Sequence, residues 1–379
     1  MTMTRIKVPL LDLQAQYAPL RAEIRTAVDG VFDKLAFIGG PYVQALEAEL
    51  AAYTGATHGV GVSSGTDALL VALTALGVGP GDEVITSPYT FFATAGCIAR
   101  LGARCVFVDI DPKTYNIDAG QIEAAITEKT KVILPVHLFG QCADMAAVNA
   151  IASKHDLPVL EDAAQAIGAR DADCRMAGSL GTAGCFSFYP SKNLGAAGDG
   201  GLVTTSDDAL AHTMSIMRNH GMEPAYHHEI LGGNFRLDGI QAAVLSIKLK
   251  HLDSWADARR QNAEHYRELF TERGLDGAVT LPWVRPGVHH IYNQFVLRVA
   301  ADKRDPLLAH LRSHDIGCAI YYPSGCHTQP ALKDQGFKAG DFPQTESAAL
   351  ETLSIPIYSE LTDEQKHCVV DVIAEFYGA

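Results

Sequence analysis

The chain has 379 residues, more than one hydrophobic core usually serves, so two domains are expected. Its 47% apolar and 20% charged residues form a globular balance that excludes a disordered or fibrous chain. Asp and Glu number 44 against 30 Lys and Arg, and the net charge of −14, unrelieved by any basic patch, argues against a nucleic-acid partner.

The N-terminal residues do not read as a secretory leader, because Asp12, Gln14 and Gln16 break what would be its apolar core. No stretch approaches the ~20 apolar residues of a membrane span. The eight cysteines are scattered, with no Cys-x-x-Cys pair and no zinc-ligand spacing, and read as reduced and mostly buried. A soluble cytoplasmic protein is expected.

An N-terminal helical segment leads to a strand-like run at 59–62 and a helix over 67–76, with Leu69, Leu70, Leu73 and Leu76 spaced to bury. Strands at 84–87, 104–108, 132–136, 159–161, 185–189 and 201–204 then alternate with helices at 91–101, 119–127, 144–155 and 207–218. Several strands are apolar at consecutive residues, as expected where both faces are covered. Asp118 and Asp207 stand where an N-cap side chain would satisfy the first free amides. The alternation predicts an α/β fold with a mostly parallel central sheet and helices on both sides.

From residue 236 the pattern changes. Leu237, Ile240, Val244, Ile247 and Leu252 fall near one helical face, followed by a helix over 254–273 rich in Arg and Glu. A strand at 292–299, a helix over 304–314, a short strand at 318–322 and a last helix over 362–377 complete the chain. The expected division is a large domain over 1–250 and a smaller α+β domain over 251–379.

Three constellations could carry chemistry. Ser63-Ser64-Gly65-Thr66-Asp67 follows a strand and opens a helix, where free amides and the positive helix end suit a phosphate; a capped helix without ligand is the bland alternative. Asp162, in Glu161-Asp162-Ala163-Ala164-Gln165, lies just past an apolar strand, where open α/β sheets place ligands. A carboxylate there can keep a ring nitrogen protonated, although a cap or solvated turn is the ordinary use. Lys192 sits between an aromatic strand, Phe186-Ser187-Phe188-Tyr189, and a loop with glycines at 195, 198, 200 and 201. Partly desolvated, its amine could form a Schiff base, whereas Lys248 and Lys250 read as ordinary surface charges. In this order the three match the phosphate, ring nitrogen and aldehyde of pyridoxal phosphate (PLP).

Here the chain resembles the DegT-type sugar-nucleotide aminotransferases of fold type I. The motifs Ser64-Gly65-Thr66-Asp67-Ala68-Leu69, Pro135-Val136-His137-Leu138-Phe139-Gly140-Gln141, Glu161-Asp162-Ala163-Ala164-Gln165, Ser187-Phe188-Tyr189-Pro190-Ser191-Lys192-Asn193-Leu194-Gly195 and Asn234-Phe235-Arg236-Leu237-Asp238 stand in family order. The resemblance implies that Lys192 binds the cofactor aldehyde and shuttles a proton. It implies that Asp162 pairs with the ring nitrogen, Gln165 bonds the ring hydroxyl, Gly65, Thr66 and Ser187 hold the phosphate, and Phe91 stacks on the ring. Asn234 would reach the cofactor phosphate of the neighbouring subunit, making a homodimer the active unit. Tyr189, Tyr226, Tyr322 and His327 would line the sugar-nucleotide cleft.

Two departures from the family pattern fall on the substrate side: Ala225 where many relatives carry Lys or Arg, and Gly325-Cys326 where Pro-Leu is usual. The implied reaction moves an amino group from L-glutamate to a nucleotide-linked keto sugar. Arg236-Leu237-Asp238 after Asn234 resembles the 3-keto more than the 4-keto enzymes. A non-catalytic PLP-binding sensor of the same fold is the other alternative. A sugar 3-dehydratase would carry histidine at 192, and a nicotinamide enzyme would need a third glycine after Gly59-x-Gly61. No metal site is expected, since the adjacent His227 and His228 rarely face one ion and lack a third ligand.

Overall fold

Seven strands make the centre: β1 (His58–Val62), β2 (Glu83–Thr86), β3 (Arg104–Phe107), β4 (Thr130–Leu134), β5 (Leu160–Asp162), β6 (Ala183–Ser187) and β7 (Gly201–Thr205). The computed structural model describes residues 6–378. One ladder runs β1-β7-β6-β5 and another β3-β2-β4. Parallel bridges from Ile133 to Val159 and from Val136 to Asp162 join them at β4 and β5. β7 alone runs against its neighbours, so the sheet is mostly parallel, as the sequence predicts.

Helices cover both faces, and the strand side chains alternate between two cores. Val84, Val132, Cys185 and Val203 point to one core, with α3 (Gly65–Ala75), α4 (Phe92–Arg100) and α7 (Asp208–Met217). Ile85, Ile133, Phe186 and Leu202, each one residue from these, point to the other. There they meet α2 (Gly40–Thr54), α5 (Ala119–Ala125), α6 (Met145–Lys154) and α8 (Gly239–Leu249). This two-sided burial is why the strands lack a polar face in the sequence. Asp118 and Asp207 cap α5 and α7 as expected, accepting from Gly120 N and from Ala209 and Leu210 N. Helix α1 (Leu13–Asp33) packs Leu20 and Ile24 against Val244 and Ile247 of α8.

The C-terminal part has its own core, built by β8 (Phe295–Arg298), β9 (Thr352–Ile355), α10 (Ala301–Ser313) and α12 (Asp363–Tyr377). Helix α11 (Pro343–Glu351) instead lays Ala348 and Ala349 on the sheet-side core. Helix α9 (Leu252–Glu272) belongs to two cores: Leu252 and Ala256 enter that of the sheet, and Ala263, Tyr266, Leu269 and Phe270 enter the C-terminal one. No helix among the described residues is long and apolar enough to cross a membrane.

Three local expectations need correction. The segment 318–322 is not a strand; only Ala319 pairs, with Ser354. Beyond it the Tyr89 hydroxyl takes the backbone groups a ladder would use, donating to the Tyr321 carbonyl and accepting from Tyr322 N–H. The run from 236 to 252 is not one helix, because Arg236 and Asp238 make isolated bridges to Val62 and Ile38 before α8 begins, and Leu252 opens α9. Lys248 is not a surface charge but buried.

Candidate active site

Strand β1 ends at Val62, and its next residues form the first candidate cradle. Ser64, in extended backbone, caps α3 by accepting from Asp67 N–H at 3.0 Å, and Ala68 N–H bonds the Ser64 carbonyl. The Asp67 carboxylate accepts from the Ser63 and Ser64 hydroxyls. That leaves the amides of Gly65 and Thr66 free at the positive end of α3, an arrangement suited to an anion. Glycine is required at 65: a Cβ there would lie 2.6 Å from the Ser187 Cβ, so loop and β6 end are pressed together.

Asp162 closes β5 and is buried. Its Oδ2 accepts from the Thr94 hydroxyl at 2.8 Å, and its Oδ1 accepts from Ala164 N–H at 3.1 Å. Burial raises its pKa; the Thr94 bond, the Ala164 amide and the charge of Lys192 oppose that rise. The preceding residue, Glu161, points the other way along the strand and has a structural task. Its carboxylate accepts from the amides of Gly178, Leu180 and Gly181 and from His137. Because His137 Nδ1 accepts from Ala143 N–H, its Nε2 carries the proton given to Glu161.

Lys192 follows β6 in a tight turn, its amide bonded to the Tyr189 carbonyl at 2.8 Å. Desolvation pushes its pKa down to about 8, with the charge of Asp162 holding it up. The adjoining loop folds back so closely that a Cβ on Gly195 would sit 2.3 Å from the Pro190 carbonyl oxygen. Two side chains of α8 pin this loop: Lys248 Nζ donates to the Gly195 carbonyl, and Gln241 accepts from Ala197 N–H. Burial also pushes Lys248 down to about 8.

Gln165 faces the same centre with its amide orientation fixed. Its Oε1 accepts from Phe139 N–H at 2.7 Å, so Nε2 is the outward group, and it donates to the Tyr322 hydroxyl at 3.1 Å. The Tyr322 ring lies 6.2 Å from that of Phe91, which is 58% exposed at the start of α4. Burial raises the Tyr322 pKa. Tyr189 is 56% exposed beside Ser187.

The structure therefore brings together Gly65 with Ser187, Asp162 with Lys192, and Gln165 with Tyr322 and Phe91. Tyr226 and Asn234 stand apart, both exposed in the segment before α8, with Tyr226 at 92%. His327 offers no surface to solvent; its Nε2 pairs with Glu346 at 3.0 Å and its ring packs on Phe342. The adjoining Cys326 N–H donates to the Pro88 carbonyl, which sets this turn against the chain leading to Phe91. Thr94 and Lys248 are contributors that the sequence reading passed over.

Comparison with known proteins bears on this arrangement. The profile of the DegT/DnrJ/EryC1/StrS aminotransferase family matches residues 19–374. A pleiotropic regulatory protein of Geobacillus stearothermophilus is 52% identical, over 98% of this chain and 99% of its own. The UDP-N-acetyl-3-dehydro-alpha-D-glucosamine 3-aminotransferase of Acidithiobacillus ferrooxidans is 46% identical, over 97% of both chains. Among solved structures, S. venezuelae DesV in complex with a ketimine intermediate superposes with a TM-score of 0.93 at 41% identity, over 98% of this chain and 99% of that one.

Proposed function

The chain belongs to the DegT/DnrJ/EryC1/StrS aminotransferase family, and from that premise we propose that it moves an amino group from L-glutamate to C3 of a nucleotide-linked 3-keto hexose. Its cofactor is pyridoxal phosphate, which supplies the electron sink that lets an amino group leave one carbon and join another. The observation that carries the reading is the cradle at Gly65, two free helix amides where any side chain would strike Ser187, with a buried carboxylate and a proton-poor amine beyond it.

In this reading the amides of Gly65 and Thr66 and the Ser187 hydroxyl hold the phosphate. Asp162 faces the ring nitrogen, and a cation placed there offsets the burial that raises its carboxyl pKa. Thr94 keeps that carboxylate aimed. Gln165 turns Nε2 toward the ring hydroxyl because Phe139 N–H already occupies its oxygen. Phe91 covers one face of the ring, and Tyr189 and Tyr322 line the approach of the sugar.

Lys192 has two tasks. Its amine, with a pKa near 8, is partly unprotonated at neutral pH and so able to hold the cofactor covalently. With the cofactor bound, the free Nζ would be placed to take a proton from the donor Cα and pass it on. Asn234 and Tyr226, exposed on their own subunit, act on the site of the partner in a homodimer.

Position C3 is supported by the relative named for a 3-dehydro UDP sugar. The regulatory name of the Geobacillus protein keeps a non-catalytic sensor in play, but a buried lysine of lowered pKa is of use to turnover. Two measurements decide. Adding L-glutamate to the holoenzyme should convert the cofactor absorbance to that of the amine form, with 2-oxoglutarate released. A panel of UDP-, dTDP- and GDP-linked 3-keto and 4-keto sugars should then show amination at C3. No spectral change with glutamate ends the donor assignment, and amination of 4-keto sugars alone ends the C3 assignment.

A further inference from the structure

A cluster far from this chemistry in sequence has no part in the proposed reaction. His310 lies in the last turn of α10 and His314, four residues on, caps its C-terminus, so the two rings come to the same side; Glu375 comes from the last turn of α12. The rings stand 4.4 Å apart between centroids. One donor atom from each of the three residues lies within 4.8 Å of the other two. We propose that His310, His314 and Glu375 form a zinc-binding site that clamps α10 to α12.

Three observations support it beyond proximity. His314 Nδ1 lies 2.9 Å from the carbonyl oxygen of His310, and a carbonyl only accepts, so Nδ1 carries hydrogen. In the neutral ring Nε2 then keeps a bare lone pair, 4.0 Å from Glu375 Oε2. Metal-bound histidines commonly donate their second ring N–H to a carbonyl in this way. Next, His310 Nε2 is buried and has no hydrogen-bond partner among the described residues, and the ring is shielded by Phe376 at 5.5 Å. An unpaired buried nitrogen is a cost that a cation would remove. Lastly, His314 Nε2 and Glu375 Oε2 do not bond each other directly, because their 4.0 Å separation is too long for a hydrogen bond.

Two histidines and one glutamate are a zinc donor set, with bonds of about 2.0–2.2 Å and a water completing the tetrahedron. The donors must draw in to about 3.5 Å of one another, and Glu375, whose side chain is 65% exposed, is free to make that movement. The cation would tie the last helix of the chain to α10, so its effect is on stability and not on the reaction.

The test uses chelator-treated holoenzyme titrated with zinc chloride by calorimetry and with cobalt(II) by visible absorption. Wild type should bind one equivalent, and His314→Gln and Glu375→Gln should each bind it with at least ~10-fold weaker affinity. Cobalt should give the intense bands of tetrahedral coordination, and saturating zinc should raise the thermal midpoint of wild type but not of the variants. Transamination by His314→Gln without metal should equal that of wild type. A flat wild-type titration, or variants that bind zinc as tightly as wild type, overturns the site. The variants are needed because exposed Cys174 could hold zinc adventitiously.

Discussion

The hydroxyl of Thr94 donates a 2.8 Å hydrogen bond to Oδ2 of Asp162, tying the start of α4 to the end of β5 at the centre of the site. The same hydroxyl lies 2.9 Å from that of Thr90, so the carboxylate is aimed by a short chain of side chains and not by the strand alone. The bond also lowers the Asp162 pKa against the burial that raises it. Thr94→Val should therefore leave the carboxyl protonated to higher pH and weaken its hold on a ring cation. The expected result is a fall of about 10-fold in kcat/KM, with about 1 kcal/mol lost from stability. Asp162→Ala should cost more than ~100-fold while dimerisation is unchanged. Steady-state rates with glutamate, beside sedimentation, check both; an unaltered rate in Asp162→Ala removes its proposed role.

Lys192 gives a prediction about pH. Without cofactor, desolvation holds its pKa at about 8, below the ordinary lysine value of 10.5. The amine attacks an aldehyde only when unprotonated. Reconstitution of the apoenzyme with PLP should speed up as pH rises toward about 8 and level off above it, not continue to climb to 10.5. Stopped-flow absorbance across pH 6 to 10 reads the inflection. Lys192→Ala should bind PLP without a borohydride-reducible linkage and should lose turnover; full activity in that variant would refute the assignment.

Lys248 supports the same loop from behind. Its buried ammonium holds the Gly195 carbonyl and lies 6.0 Å from the Trp255 ring. Lys248→Met keeps the length of the side chain but leaves that carbonyl unpaired, at a cost of about 1–3 kcal/mol. The loop carrying Lys192 should loosen, so PLP dissociation should quicken several-fold while secondary structure is retained. Cofactor release by gel filtration and circular dichroism measures both, and an unchanged release rate would confine Lys248 to packing.

The role of Asn234 across a dimer can be read by complementation. Lys192→Ala and Asn234→Ala homodimers should each be severely impaired. In a mixed dimer, one site keeps both native residues and the other loses both. Co-refolding equal amounts should make about half of the dimers mixed, each with one working site, so activity should recover to about a quarter of wild type. No recovery would place Asn234 in its own subunit's site.

Much of the candidate site's placement was legible in the sequence because its proposed parts sit at strand ends. Gly65, Asp162 and Lys192 each follow an apolar run, and the doubly covered sheet makes those runs unbroken and visible. Other parts were hidden for definite reasons. Lys248 looks like any helix lysine, and only the fold brings the Gly195 carbonyl to it, 53 residues away. The failed strand at 318–322 has suitable residues, but a tyrosine hydroxyl 232 positions earlier in the chain takes its carbonyl. Helices α2 and α11 carry proline in their first turn, a start signal that weak apolar periodicity leaves easy to overlook. Tyr226 and Asn234 have no visible task within one subunit, so neither sequence nor monomer geometry explains them without the family resemblance.

Helix α9 also governs how the molecule comes apart. One rigid rod plants Leu252 in the sheet's interior and Phe270 in the other, so melting either end frays the anchor of its neighbour. The two halves should therefore denature as a single cooperative event, and a proteolytic cut within this rod would release neither as a stable fragment.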